Sequence, residues 1–186
     1  MILETTQQAL QALFAGSVPA DEAEAGTPRG NGVLTRDYKT HGYHLDAQVA
    51  ADQLLAAVTI LDEGGFFIES ITGVDWIKDN QLEVIYDFSR YDFDTCRVVI
   101  RTRMPREKPE VPTISTIYAG ANWHERETHD FFGIKFAGHP HLVPLLLPED
   151  ADFHPGHQRA GQVQLRLAGA PAPGDGQGDH RPGAPG

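Results

Sequence analysis

Two alternating stretches, close together in the chain, constrain this sequence more than anything else in it. Leu82, Val84, Tyr86 and Phe88 occupy every second position, and Glu83 and Asp87 lie between them. A few residues on, Cys96, Val98 and Ile100 alternate in the same way against Arg97, Arg101 and Arg103. Side chains of a strand point to opposite faces in turn, so each run reads as a strand with one apolar face. Two such neighbours predict an antiparallel sheet with one packed side and one solvated side. The packed side must be covered by something equally apolar.

The chain offers two covers. Over residues 47–63, Ala50, Leu54, Ala57, Val58 and Leu61 form one helical stripe, with Asp46 as a candidate N-cap and Gly64-Gly65 as the stop. A second helix is predicted from Ala121 to Phe132, ended by Gly133. Phe66 to Trp76 reads as a further strand, and Lys78-Asp79-Asn80-Gln81 supplies the turn into Leu82–Phe88. The third strand runs from Cys96 to Met104, and Pro105, Pro109 and Pro112 break the pattern beyond it. The expected fold class is therefore α+β, one mainly antiparallel sheet covered by two helices. Its order is strand, helix, three strands, helix.

The flanks differ in character. Residues 2–14 carry Leu3, Leu10, Leu13 and Phe14 at near-helical spacing, whereas 16–32 are polar, acidic and rich in Gly and Pro. From Gly156 onward no aromatic residue occurs and Gly, Ala and Pro dominate, a composition that cannot bury enough apolar area to offset its ordering entropy. The organisation expected is an N-terminal helix and flexible linker (1–32), one domain (33–155) and a disordered tail (156–186). A hydrophobic content of 40% in 186 residues suits one such core.

Composition narrows function mostly by exclusion. The formal net charge of −11 opposes nucleic-acid binding, which needs a surplus of Lys and Arg. The one basic stretch, Arg97, Arg101, Arg103, Arg106 and Lys108, reads as a solvated strand face and the turn beyond it. Cys96 is the only cysteine, so the chain alone can form neither an internal disulfide nor the roughly four-thiolate shell of an iron–sulfur cluster. Met1 to Gly16 lacks the basic start and apolar centre of a signal peptide. No apolar run approaches the ~18–20 residues that cross a bilayer. The expected setting is the cytosol, and if the chain meets a membrane other subunits must carry it there.

Three patterns suggest chemistry of their own, and none sustains it. In His124-Glu125-Arg126-Glu127-Thr128-His129 the histidines stand five apart, about 140° around a helix, so they cannot share the metal of a helical zinc hydrolase. His139, His141, His154 and His157 lie in Pro-rich loops without the tight paired spacing of a structural metal site. Glu125, Glu127 and Asp130 could form an acid–base pair, but Arg126 and Asp130 stand at i, i+4 and are expected to form a plain helix ion pair. No phosphate-binding glycine loop and no nucleophile elbow occurs. What remains is a charged helix bracketed by Trp123, Phe131, Phe132 and Phe136, a composition suited to a protein–protein contact.

The run ANWHERETHDFFGIKFAGHPHLVPLLLPED resembles the signature of the thirty-kilodalton subunit family of respiratory complex I, the proton-pumping NADH:quinone oxidoreductase. It supplies Glu125, Arg126, Glu127, Asp130, Phe131, Phe132, Gly133, Ile134, Phe136, Gly138, His139, Pro140, Leu142, Leu146, Leu147 and Pro148. Gly73-Val74-Asp75-Trp76 and Leu82-Glu83-Val84-Ile85-Tyr86 resemble the family's first hairpin.

The resemblance implies a peripheral-arm subunit with no cofactor and no catalytic residue of its own. It would dock beside the large subunit that lines the quinone pocket. NADH, flavin, iron–sulfur clusters and quinone would belong to partner subunits. The implied partner-interface residues are Glu125, Arg126, Glu127, Asp130, Gly133, His139 and Pro140. The same family has counterparts in membrane-bound nickel–iron hydrogenases and formate hydrogenlyase-type complexes. His124 and Val143-Pro144 lean toward that branch. After His154-Pro155 the family's Leu-Arg-Lys-Asp gives way to Gly156-His157-Gln158-Arg159.

Overall fold

The computed structural model describes residues 1–14, 30–92 and 95–156. Most of the expected linker, and all of the expected tail except Gly156, lie outside the described residues. In chain order the elements are α1 (Ile2–Ala12), β1 (Gly32–Thr35), α2 (Tyr38–His41), β2 (Leu45–Val49), α3 (Leu54–Glu63), β3 (Phe67–Trp76), β4 (Gln81–Arg90), β5 (Cys96–Pro105), β6 (Glu110–Pro112), α4 (Ala121–Phe132) and β7 (Lys135–Ala137). Five strands make one sheet in the order β1-β2-β5-β4-β3. Every pairing is antiparallel except β2 with β5. Strands β6 and β7 form a separate parallel pair.

The alternating runs produce the register their pattern demands. Val84 faces Thr102, Tyr86 faces Ile100 and Phe88 faces Val98 across β4 and β5. Val84, Tyr86, Phe88, Val98 and Ile100 enter one core together with Leu54, Ala57, Val58 and Leu61 of α3, Ala121 of α4 and Leu10 of α1. Cys96 is fully buried there. Between β3 and β4, Asn80 adopts the left-handed conformation that the turn requires. The α+β class, the mainly antiparallel sheet and the bounds of α4 agree with the sequence reading.

Two expectations are corrected. Helix 47–63 begins only at Leu54, because Leu45–Val49 is a strand inserted between β1 and β5, with all five residues buried. Asp46 therefore caps no helix. It accepts from Arg101 Nε at 2.9 Å and lies 3.7 Å from Arg36 Nε.

The second correction concerns the sheet's other side, which is not a solvated strand face. Glu83 is 1% exposed and accepts from Trp76 Nε1 at 3.0 Å and Arg103 Nε at 3.2 Å, while the Arg103 guanidinium lies over the Trp76 ring. Arg97 pairs with Glu69 at 2.7 Å and Arg106 with Asp75 at 2.9 Å. Four arginines of the basic stretch are thus matched to carboxylates inside the chain. Their aliphatic stems cover the strands.

Helix α4 lies over β3. Phe132 rests on Gly73, and a β-carbon at Gly73 would fall within the van der Waals envelope of its ring. Gly73→Ala should therefore destabilise the chain by about 1–3 kcal/mol through overpacking. Urea unfolding of the variant measures this, and restoration of stability by Phe132→Leu in the same chain would assign the cost to that contact.

Candidate functional site

Helix α4 carries Ala121, Glu125 and Thr128 at i, i+4 and i+7, so one face turns all three toward the sheet, where they are buried. A carboxylate in that stripe must find donors inside the protein. Glu125 is fully buried. Its Oε1 accepts the Ile114 N–H at 2.7 Å, and Oε2 meets the Thr113 hydroxyl. Thr113 is held there by the β6–β7 pair, whose ladder continues as Thr113 N donates to Ala137 O at 2.9 Å. Burial pushes the Glu125 carboxyl up to about 7, against the opposing effect of those two donors.

The turn after β7 brings His139 to the same place. Its ring is fully buried, with Nε2 3.8 Å from Glu125 Oε2. Nδ1 accepts the His141 N–H at 3.0 Å, which leaves Nε2 as the donor to Asn122 O at 3.2 Å. That pattern is the neutral imidazole. Burial also holds its pKa below the ordinary value, helped by the charges of Arg126, His141 and His129 and opposed by the Asn122 carbonyl.

Asp130 does a different job. It is 2% exposed, and its Oδ2 accepts three successive backbone N–H groups, Leu145 at 2.8 Å, Leu146 at 2.6 Å and Leu147 at 3.1 Å. Arg126 grips the same loop through its carbonyls, with Nε donating to Val143 O at 3.0 Å and Nη2 to Pro144 O at 2.8 Å. The expected Arg126–Asp130 ion pair is thus replaced by two separate holds on residues 143–147. A local i, i+4 pair is worth a few tenths of a kcal/mol, less than satisfying a row of backbone groups.

The end of the helix is tied down from the other side. His129 Nδ1 lies 2.9 Å from Ile134 O, and His154 Nδ1 lies 2.8 Å from Asp130 O. Gly156 N donates to Phe131 O at 2.7 Å. Gly133 has φ +70°, and a β-carbon there would strike the His154 ring, so both its conformation and its neighbour require glycine. Among the described residues no group of three or more His, Cys, Asp and Glu is placed to hold a metal ion.

Of the expected interface residues, Glu125 and Asp130 are buried and His139 turns its ring inward, whereas Glu127 and Pro140 are exposed and Arg126 is half-buried. Trp123 is 61% exposed, with the Arg126 guanidinium 5.4 Å from its ring centre, and Val143 and Leu146 are exposed on the loop that Arg126 and Asp130 hold. Sequence reasoning did not find Thr113, Ile114 or Ser115, which carry no motif. The same holds for the role of Tyr86, whose hydroxyl is buried without a hydrogen-bond partner and whose pKa is raised by burial first and then by the Glu125 charge.

The sequence pattern of the family described as "Respiratory-chain NADH dehydrogenase, 30 Kd subunit" matches residues 47–160. The C subunit of the NADH-quinone oxidoreductase of Moorella thermoacetica is 38% identical over 109 residues, 58% of this chain and 73% of that protein. The C subunit of the F(420)H(2) dehydrogenase of Methanosarcina mazei is 41% identical over 81 residues, 44% of this chain and 51% of that protein. The chain spans about half the length of several such relatives. Among solved structures, the trypsin-resistant fragment of Nqo5 aligns over 76% of this chain and all of the fragment, with a TM-score of 0.56 and 26% identity. A chain of the membrane-bound sulfane sulfur reductase, an archaeal respiratory membrane complex, aligns over 72% of this chain and 71% of its own, with a TM-score of 0.52 and 26% identity.

The Asp130 cradle has a pH signature. Burial alone would raise the Asp130 pKa, but the Leu146, Leu145 and Leu147 N–H groups and the charge of His129 outweigh it and hold the carboxyl below its usual range. Its stabilisation is therefore present above the unfolded value of about 3.9 and is lost as the pH falls through the lower folded value. Asp130→Asn should cost about 1–3 kcal/mol at neutral pH. Urea unfolding should show the gap between wild type and variant closing as the pH falls below the unfolded value of about 3.9. A gap that stays constant with pH would show that the charge does not supply the stabilisation.

Proposed function

The chain belongs to the respiratory-chain NADH dehydrogenase 30 kDa subunit family, and we propose that it is a non-catalytic peripheral-arm subunit of a proton-translocating NADH:quinone oxidoreductase. It docks beside the large subunit that forms the quinone site. NADH, flavin, iron–sulfur clusters and quinone are held by partner subunits, and the chain reaches the cytoplasmic side of the membrane through the complex. No helix among the described residues is long and apolar enough to cross a membrane, in keeping with a peripheral place.

The observation that carries this reading is how the signature is used. Glu125, Asp130, Gly133 and His139 spend their side chains, or the absence of one, on fixing α4 and the loop after β7. Around them Trp123, Glu127, Pro140, Val143 and Leu146 are exposed and Arg126 is half-buried. An exposed tryptophan stacked by an arginine is the composition of an interface anchor. A pre-ordered loop also lowers the entropy lost on docking.

A second reading has its own support. His124 and Val143-Pro144 depart from the complex I form of the signature. The likeness to a chain of a sulfane sulfur reductase shows that this fold occurs in an archaeal respiratory membrane complex of another kind. The alternative is the equivalent scaffold in an energy-converting nickel–iron hydrogenase or formate hydrogenlyase-type complex. Subunits co-purifying from native membranes decide between the two: NADH-site and flavin subunits favour the first, a nickel–iron subunit the second.

Two outcomes are expected. Trp123→Ala should leave the isolated chain as stable as wild type yet weaken assembly by about 2 kcal/mol or more. Quantifying assembled complex from membranes checks this, and normal complex levels with reduced turnover per complex would give Trp123 a role in the reaction instead. The purified chain should carry no stoichiometric metal and no visible chromophore, which elemental analysis and an absorption spectrum measure directly.

A further inference from the structure

The proposed docking role makes no use of the proton chemistry around Glu125. A buried carboxyl without a cationic partner is unusual, and three features of its surroundings bear on what it does. Thr113 Oγ1, which meets Glu125 Oε2, also lies 2.7 Å from Ser115 Oγ and accepts the Ser115 N–H at 3.1 Å. Ser115 is half-buried and is followed by the exposed Thr116, so the row Glu125–Thr113–Ser115 runs from the core to the surface. On the inner side the Tyr86 hydroxyl of β4 is buried and unpartnered.

We propose that Glu125 is a proton-binding site connected to solvent by the Thr113–Ser115 hydroxyl chain. The row satisfies both protonation states with no movement of heavy atoms. When Glu125 is ionised, Ser115 O–H donates to Thr113 and Thr113 O–H donates to Glu125. When Glu125 is protonated, its O–H donates to Thr113, and Thr113 O–H donates to Ser115. In either arrangement Thr113 makes one donation and accepts two bonds, one of them always from Ser115 N–H, which is the full capacity of a hydroxyl. Uptake passes one solvent proton to Ser115, the Ser115 proton to Thr113 and the Thr113 proton to Glu125, so only the carboxyl gains a proton.

The groups facing this carboxyl permit the change. Tyr86 from β4 stays neutral, since burial and then the Glu125 charge raise its pKa well above the ordinary value. His139, from the turn after β7, is a neutral ring whose Nε2 proton is engaged by Asn122 O, and His141 stands beyond it. Arg126 and His129 on α4 act on His139. Burial sets the Glu125 carboxyl at about 7, where a small change in pH alters its occupancy. The proposal does not depend on which complex the chain joins.

Infrared difference spectra of the full chain between about pH 5 and about pH 9 provide the test. A carbonyl band of a protonated carboxylic acid should disappear with a midpoint near neutrality in wild type and be missing from Glu125→Gln. Ser115→Ala should keep the midpoint but slow proton uptake after a pH jump by about tenfold. Identical spectra for wild type and Glu125→Gln would overturn the site, and an unchanged uptake rate in Ser115→Ala would overturn the connection. If Glu125→Gln fails to fold, wild type with 13C-labelled glutamate carboxyls decides the same question. One carbon should titrate near neutrality, and none doing so refutes the proposal.

Discussion

One carboxylate accepting three consecutive backbone N–H groups organises the region from which the proposed partner surface is built. Asp130 projects from α4 into the chain's own later loop and satisfies the N–H row of Leu145, Leu146 and Leu147. Burying those amides without an acceptor would cost about 1–3 kcal/mol for each group left unpaired. With the loop fixed, the carbonyls of Val143 and Pro144 lie where Arg126 can reach them, and the arginine in turn lies against Trp123. The main chain of Asp130 adds a second tie by receiving His154.

The signature therefore divides its labour along the helix. Residues on the sheet-facing side settle geometry within the chain, and Trp123 and Glu127, two positions to either side of Glu125, are exposed. Glu125 and Glu127 are two apart and point differently, the first buried and the second exposed. A motif dense in charge need not be a charged surface. The same holds on the sheet's far side, where Glu83 and Asp46 are buried among arginine stems.

What could be read from the sequence was local and periodic. The alternation of Leu82 to Phe88 and of Cys96 to Ile100 specified two central strands and their inward faces. Gly133 marked the end of α4 because a left-handed residue is needed there. Strand β2 was hidden because Leu45, Ala47 and Val49 precede a genuine helical stripe, and Asp46 has the chemistry of an N-cap. Its parallel partner β5 is far along the chain, Leu45 pairing with Val98, and nothing local announces such a pairing. Asp130's true partners, a loop's length downstream, were concealed by the nearer arginine. Thr113 and Ser115 became visible only once β6 and β7 brought them to α4.

Helix α4 and its tethered loop form the proposed partner surface, on which Trp123 is exposed. A photo-crosslinking amino acid placed at position 123 of the full chain, irradiated in membranes containing the assembled complex, tests that role most directly. A covalent adduct with another subunit of the complex is expected, at higher yield than from the equally exposed position of Tyr91. An assembled complex in which position 123 yields no inter-subunit adduct would contradict it.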